Sequence, residues 1–295
     1  MEKSMQEKQD ERAQEKEARE RLSGKKRIII KIGSSSVTHP ETGDVNLHMM
    51  EKLVRLICDL QGSGKDVMLV SSGAIAAGRK AMNFSQKPQE TAVKQALAAI
   101  GQAKLMMVYQ KLFSEYNHTA SQILLTKFTL LNEEALGNAR NTFEELFKLK
   151  SVPIINENDT VSTNEISFGD NDRLASLCAS ITDADLVILL SDIEGLYTDD
   201  PNRNPDAQLI SFVPYIDETL WNMAKSSSKT SFGTGGMRSK IEAARIATDA
   251  GADMLIMSGQ EIDSIWDALS GMPVGTLFAA HKTSFDLLDY VRNDY

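Results

Sequence analysis

From residue 27 onward, short apolar runs alternate with stretches in which apolar residues return every three or four positions. The runs Arg27–Ile32, Val67–Val70, Gln122–Leu125, Val152–Ile155, Leu186–Leu190 and Asp253–Met257 predict buried strands. Helical periodicity joins Met50, Leu53, Val54, Ile57 and Leu60, closed by Gly62 and Gly64. It joins Leu174, Leu177, Cys178 and Ile181 in a second segment, and Ile241, Ala244 and Ala247, ending at Gly251, in a third. Strands and helices in alternation predict an α/β fold with a mainly parallel sheet covered on both faces.

Residues 1–26 have a different texture. Met1, Met5, Ala13, Ala18 and Leu22 are almost their only apolar side chains, too few to dock a helix firmly. Glu15 with Arg19 and Glu17 with Arg21 are i,i+4 pairs, each contributing about 0.3–0.5 kcal/mol. The expectation is a charged extension, disordered or a frayed solvated helix, ahead of one domain over 27–295. Its seven acidic residues argue against a mitochondrial transit peptide.

Charge and cysteine content narrow the function classes. The chain of 295 residues carries a formal net charge of -9. Residues 1–26 hold 8 Lys/Arg against 7 Asp/Glu, so the remainder carries -10. Such a body lacks the basic face that nucleic acid requires, and any anion must be met by locally placed cations. Two cysteines, Cys58 and Cys178, exclude a disulfide framework, and His39, His48, His118 and His281 form no metal-spaced pair. No apolar run approaches the ~20 residues of a membrane span, and no signal-peptide core is present, so the expected location is the cytoplasm.

In open α/β sheets, function collects just beyond the carboxyl ends of strands. Those ends read Lys31-Ile32-Gly33-Ser34-Ser35, Ser71-Ser72-Gly73, Asn156-Glu157-Asn158-Asp159 and Ser191-Asp192. Any one could be an ordinary turn or cap; four together point to a shared site. Lys31 either snorkels to solvent or meets an anionic partner, since burying it unpaired is costly. Phe232 to Lys240 form a glycine-rich loop running into a helix, either a plain flexible loop or a phosphate site. The loop is neither a Walker loop nor a dinucleotide fingerprint. Gly169-Asp170-Asn171-Asp172 offers more carboxylates than a helix cap needs and, with Asn156–Asp159, suggests a pocket for a small zwitterion.

Together these motifs resemble the amino acid kinase family, and within it the glutamate 5-kinases. The likeness runs in order over about residues 27–280. It includes Lys31–Ser35, Ser71–Arg79, Lys94–Gln102, Asn138–Thr142, Ile155–Asp159, Gly169–Asp172, Ser191–Pro205 and Gly233–Met237. The resemblance implies an αβα sandwich that binds ATP with Mg²⁺ and L-glutamate along one sheet edge. It makes Lys31 and Lys240 the phosphoryl-stabilising cations and Asp172 the residue that orients them. Ser72, Asp159 and Asn171, with Asn156, match substrate-binding positions. Lys31, Ser191, Asp192, Thr234, Gly235, Gly236, Met237, Arg238, Ser239 and Lys240 match nucleotide-binding ones.

The resemblance also implies homo-oligomers and, because the acyl phosphate product is labile, a glutamate-5-semialdehyde dehydrogenase as metabolic partner. Bacterial relatives often carry a C-terminal PUA domain; with about 15 residues after position 280, none is expected here. Two alternatives stay open at this point. One is a kinase for N-acetylglutamate, aspartate, carbamate or a nucleoside monophosphate; the other is a non-catalytic amino-acid or nucleotide sensor.

Overall fold

The computed structural model describes residues 5–84, 88–162, 168–199, 201, 204–227, 236–283 and 286–292. Its strands are β1 (Arg27–Ile32), β2 (Asp66–Ser71), β3 (Thr119–Leu125), β4 (Ser151–Glu157) and β5 (Leu186–Ser191). After them come β6 (Leu196–Tyr197), β7 (Leu209–Ile210), β8 (Phe212–Val213), β9 (Asp253–Ser258) and β10 (Thr276–Phe278). The helices are α1 (Met5–Glu20), α2 (Ser34–Val37), α3 (Leu47–Gly62), α4 (Ala74–Ala81), α5 (Thr91–Glu115) and α6 (Lys127–Leu131). They continue with α7 (Glu133–Lys148), α8 (Asn171–Thr182), α9 (Glu218–Ser227), α10 (Met237–Ala250), α11 (Ser264–Leu269) and α12 (Leu287–Arg292).

Eight strands form one sheet in the order β3-β4-β2-β1-β5-β9-β10-β8. Strands β3, β4, β2, β1, β5 and β9 run parallel, and β10 pairs antiparallel with β9. The chain builds leftward from β1 through β2, then resumes on the other side with β5. A crevice therefore opens at the carboxyl ends of β1 and β5, where the winding reverses.

Strand alternation assigns the two faces. Ile28, Ile30 and Ile32 pack with Leu53 and Ile57 of α3, Leu105, Tyr109 and Phe113 of α5, and Ile265 of α11. Ile29 points the other way, onto Leu174 and Leu177 of α8, Ile241 and Ala244 of α10, and Phe143 of α7. Each of these fully buried aliphatic side chains contributes about 1.5–3 kcal/mol through water exclusion. The expected αβα sandwich with its mainly parallel sheet is what the chain forms, and all six predicted strands and three predicted helices are present.

The extension departs from expectation. Residues 5–20 are helical, and the end of that helix is docked: Ala18 and Leu22 are buried with the β1 core, and Arg19 is 2% exposed. An apolar count misses it because the anchor is a guanidinium. Among the described residues, no helix is long and apolar enough to cross a membrane.

Helix α4, which follows Ser72, crosses α5 closely enough that side chains are excluded at the contact. A Cβ on Gly101 would lie 1.7 Å from the Ala74 carbonyl oxygen. Gly101→Ala is expected to destabilise the fold by about 2–3 kcal/mol, read as a lowered urea midpoint with an unchanged slope. A midpoint equal to the parent's would show that the two helices are not fixed at this distance.

Candidate active site

Lys31 is the fifth residue of β1 and so shares the face of Ile29, toward α8 and α10. At this level of the sheet those two helices begin. Asp170 caps α8, its carboxylate accepting the Asp172 N–H at 3.1 Å. The Ser239 hydroxyl, in the first turn of α10, donates to the other Asp170 oxygen at 2.7 Å and staples the two helix starts together. Asp172 and Lys240 are thereby brought under the end of β1.

Lys31 Nζ lies 2.5 Å from Asp172 Oδ1, and Lys240 Nζ donates to Asp172 Oδ2 at 2.9 Å. The carboxylate is 1% exposed, and Lys31 and Lys240 are 8% and 6% exposed. Burial pushes the Asp172 carboxyl up, but the two ammonium groups outweigh it and hold it below the usual range. Two lysines against one carboxylate give the cluster a formal charge of +1. Lysine in the first turn of a helix opposes the helix dipole, which marks Lys240 as placed for something other than helix stability.

On the other side of Lys31 lies a network of amides and hydroxyls. Asn171 Nδ2 donates to Ser72 Oγ at 2.8 Å and to Asn156 Oδ1 at 2.9 Å. Asn156 Nδ2 in turn donates to Gln102 Oε1 of α5 at 3.1 Å. Strands β2 and β4 and helix α8 thus supply the polar groups that sequence reading grouped as substrate-binding. Asp159 sits half-buried in the turn after β4. Burial, with Glu157 nearby, pushes its carboxyl up to about 6. Gln102 is the member that sequence reading missed: it lies inside the Lys94–Gln102 stretch, but an isolated glutamine in an alanine-rich helix carries no compositional signal.

A cleft of about 820 Å³ opens beside the two lysines and reaches Ser72, but Asn156, Asp159, Asn171 and Asp172 are not among the residues that line it. Lys31, Gly33, Ser34, Ser72, Ser191, Asp192, Asp170 and Lys240 line it, and the loop after α2 with Arg79 and Lys80 closes its far end. Ser191 Oγ donates to Asp192 Oδ1 at 3.1 Å at the end of β5. Thr234 and Gly235 lie outside the described residues, whereas Gly236 caps α10. The side chains of the next two nucleotide candidates point elsewhere. Met237 packs on the core and Arg238 pairs with Glu242 of its own helix at 2.8 Å. Among the described residues, what the start of α10 offers an anion is therefore backbone N–H groups and Lys240.

The model of the amino acid kinase family matches residues 26–258. Glutamate 5-kinase of Clostridium tetani is 47% identical over 264 residues, covering 90% of this chain and 98% of that protein. The chain belongs to the amino acid kinase family, in its glutamate 5-kinase branch. Glutamate 5-kinase of Carboxydothermus hydrogenoformans is also 47% identical, over 90% of this chain and 70% of that protein. Among solved structures, UMP kinase from Bacillus anthracis superposes with a TM-score of 0.60 at 14% identity, over 87% of this chain and 96% of that one. Isopentenyl phosphate kinase of T. acidophilum gives 0.59 at 17%, over 85% and 99%. These two share the amino acid kinase fold.

Removing the central carboxylate tests the arrangement. Asp172→Asn leaves two buried ammonium groups facing each other and is expected to cost about 3–5 kcal/mol in urea unfolding. Stability equal to the parent's would mean that the lysines are solvated and the cluster is not closed.

Proposed function

We infer that this amino acid kinase transfers the γ-phosphoryl group of ATP to the γ-carboxylate of L-glutamate, giving L-glutamyl 5-phosphate and ADP, the first step of proline biosynthesis. The observation that carries the reading is the Lys31–Asp172–Lys240 cluster, set at the end of β1 beside the Ser72–Asn171–Asn156 network. A γ-carboxylate is ionised at neutral pH, so the nucleophile needs no general base. The obstacle is repulsion between that carboxylate and the triphosphate. As the carboxylate oxygen bonds to the γ-phosphorus and the bond to the β-phosphate bridging oxygen breaks, negative charge spreads over the equatorial oxygens. Two fixed ammonium groups lower that barrier directly.

In this reading Lys31 and Lys240 meet the transferring group, and Asp172 holds both without cancelling their charge. Ser72, Asn156 and Asn171 grip the amino acid, with Asp159 facing its ammonium group. Ser191, Asp192 and residues 234–240 border the nucleotide. Asp170 and Asp192, both lining the cleft, are the hard oxygen donors suited to a largely hydrated Mg²⁺ carried in by the phosphates. The ion neutralises phosphate charge. A cytoplasmic homo-oligomer that hands its labile acyl phosphate to a glutamate-5-semialdehyde dehydrogenase completes the proposal.

Two measurements test it. Acyl phosphate trapped with hydroxylamine is expected with glutamate and not with N-acetylglutamate or aspartate. In Lys31→Ala and Lys240→Ala, kcat is expected to fall about 100-fold or more while both KM values change far less. Near-parental turnover in both variants, or a preference for N-acetylglutamate, would overturn the assignment.

The pH profile is a third. With its carboxyl at about 6, Asp159 is ionised at neutral pH and protonated below. An ammonium ligand needs the carboxylate, so affinity is lost as pH falls through that value. KM for glutamate should rise roughly tenfold between neutrality and about pH 5, with the ATP KM less affected. Asp159→Asn should show a raised and flat profile; a pH-dependent rise that survives in this variant would place the titrating group elsewhere.

A further inference from the structure

Arg19 belongs to the extension that precedes the family match, yet it is among the most completely bonded side chains of the molecule. A guanidinium has five N–H donors, and all five meet an acceptor. Nε donates to Glu15 Oε1 at 2.9 Å. One terminal nitrogen donates to the carbonyls of Val274 at 3.0 Å and Met272 at 3.4 Å. The other donates to Ser211 at 2.7 Å and Gly275 at 3.2 Å. These carbonyls belong to the chain segments entering β8 and β10 at one edge of the sheet.

The next layer leads toward the cleft. Ser211 follows β7, and Gly275 precedes Thr276, the first residue of β10. The Thr276 hydroxyl, fully buried, donates to the Ile210 carbonyl at 2.6 Å and accepts the Leu196 N–H at 2.7 Å. Leu196 and Ile210 face each other across the antiparallel β6–β7 pair. The approach is so close that a Cβ on Gly195 would sit 2.5 Å from the Thr276 oxygen. That pair follows directly from Ser191 and Asp192, which line the cleft. One guanidinium and one hydroxyl, on neighbouring turns of chain, therefore fix the β6–β7 pair on the sheet.

We propose that Arg19 is a positioning residue for nucleotide binding: through the Ser211 and Gly275 carbonyls and Thr276 it sets the β6–β7 pair, and with it the segment from Ser191 and Asp192, which line the cleft, to Tyr197. The proposal rests on the reading that the Ser191–Asp192 side of the cleft takes ATP. It gives the extension a part in catalysis that its composition does not suggest. It also accounts for an arginine at a position where lysine, with three donors on a point charge, leaves carbonyls unmet.

The test compares steady-state kinetics of full-length Arg19→Ala, Arg19→Lys, Thr276→Val and Tyr197→Ala. Arg19→Ala and Thr276→Val should raise the ATP KM about fivefold or more, with glutamate KM and kcat within about twofold of the parent. Arg19→Lys should fall between. A merely structural role would lower active enzyme concentration and leave both KM values alone. If Tyr197→Ala raises the ATP KM but Arg19→Ala and Thr276→Val do not, or if those two shift both substrates equally, the positioning role is overturned and the nucleotide assignment stands. If Tyr197→Ala leaves the ATP KM unchanged, the nucleotide assignment of this pair fails and takes the proposal with it. Should Arg19→Ala not fold, Glu15→Gln, which loosens the fork from its partly exposed side, decides with Thr276→Val: an unchanged ATP KM in both overturns the proposal.

Discussion

Lys31, Asp172 and Lys240 come from β1, α8 and α10 and meet at 2.5 and 2.9 Å, so two ammonium groups and one carboxylate share a place from which water is almost excluded. At an effective dielectric near 20, each of these contacts is worth about 6 kcal/mol of Coulomb attraction before the cost of burying the charges is subtracted. The geometry exists only if three elements are in register. Strand alternation must turn Lys31 toward the α8 face. Asp170 must cap α8 two residues before Asp172, and Ser239 must tie the start of α10 to that same cap. Most of the fold reads as the support for this one juxtaposition.

In the proposed reading the sheet also separates the two ligand sides that a phosphoryl transfer between anions requires. To one side of Lys31 lie the amide and hydroxyl groups of β2, β4 and α8, oriented through Gln102 by the tightly crossed α4 and α5. To the other lie the end of β5 and the start of α10. The acidic net charge of the chain is compatible with handling two anionic substrates, because the cations proposed to meet them, Lys31 and Lys240, are few, buried and placed at the crevice where the winding of the sheet reverses.

Much of this was legible in the sequence because it follows from short-range rules. Continuous apolar runs marked the six parallel strands, and the polar residues after Ile32, Ser71, Glu157 and Ser191 marked the edge where the site forms. Lys31 stood out as a charge ending an apolar strand. The order of motifs, not any single one, pointed to the family. Helix α5 was not marked by periodicity, because its apolar and alanine residues run around its whole circumference rather than along a stripe. The short strands β6, β7, β8 and β10 have two or three residues each, too few to show a period. Arg19 was misjudged for a different reason: its anchorage depends on carbonyls about 190 to 260 residues away, and backbone acceptors have no sequence signature.

In the proposed mechanism Lys31 and Lys240 act as one electrostatic unit through Asp172. The most direct measurement is the single-turnover rate of acyl phosphate formation at saturating ATP and glutamate for Lys31→Ala, Lys240→Ala and the double variant. Each single substitution leaves the remaining ammonium group neutralised by Asp172, so the double variant should be no more than a few-fold slower than the slower single. Rate losses that multiply in the double variant would show two independent cations and contradict the account.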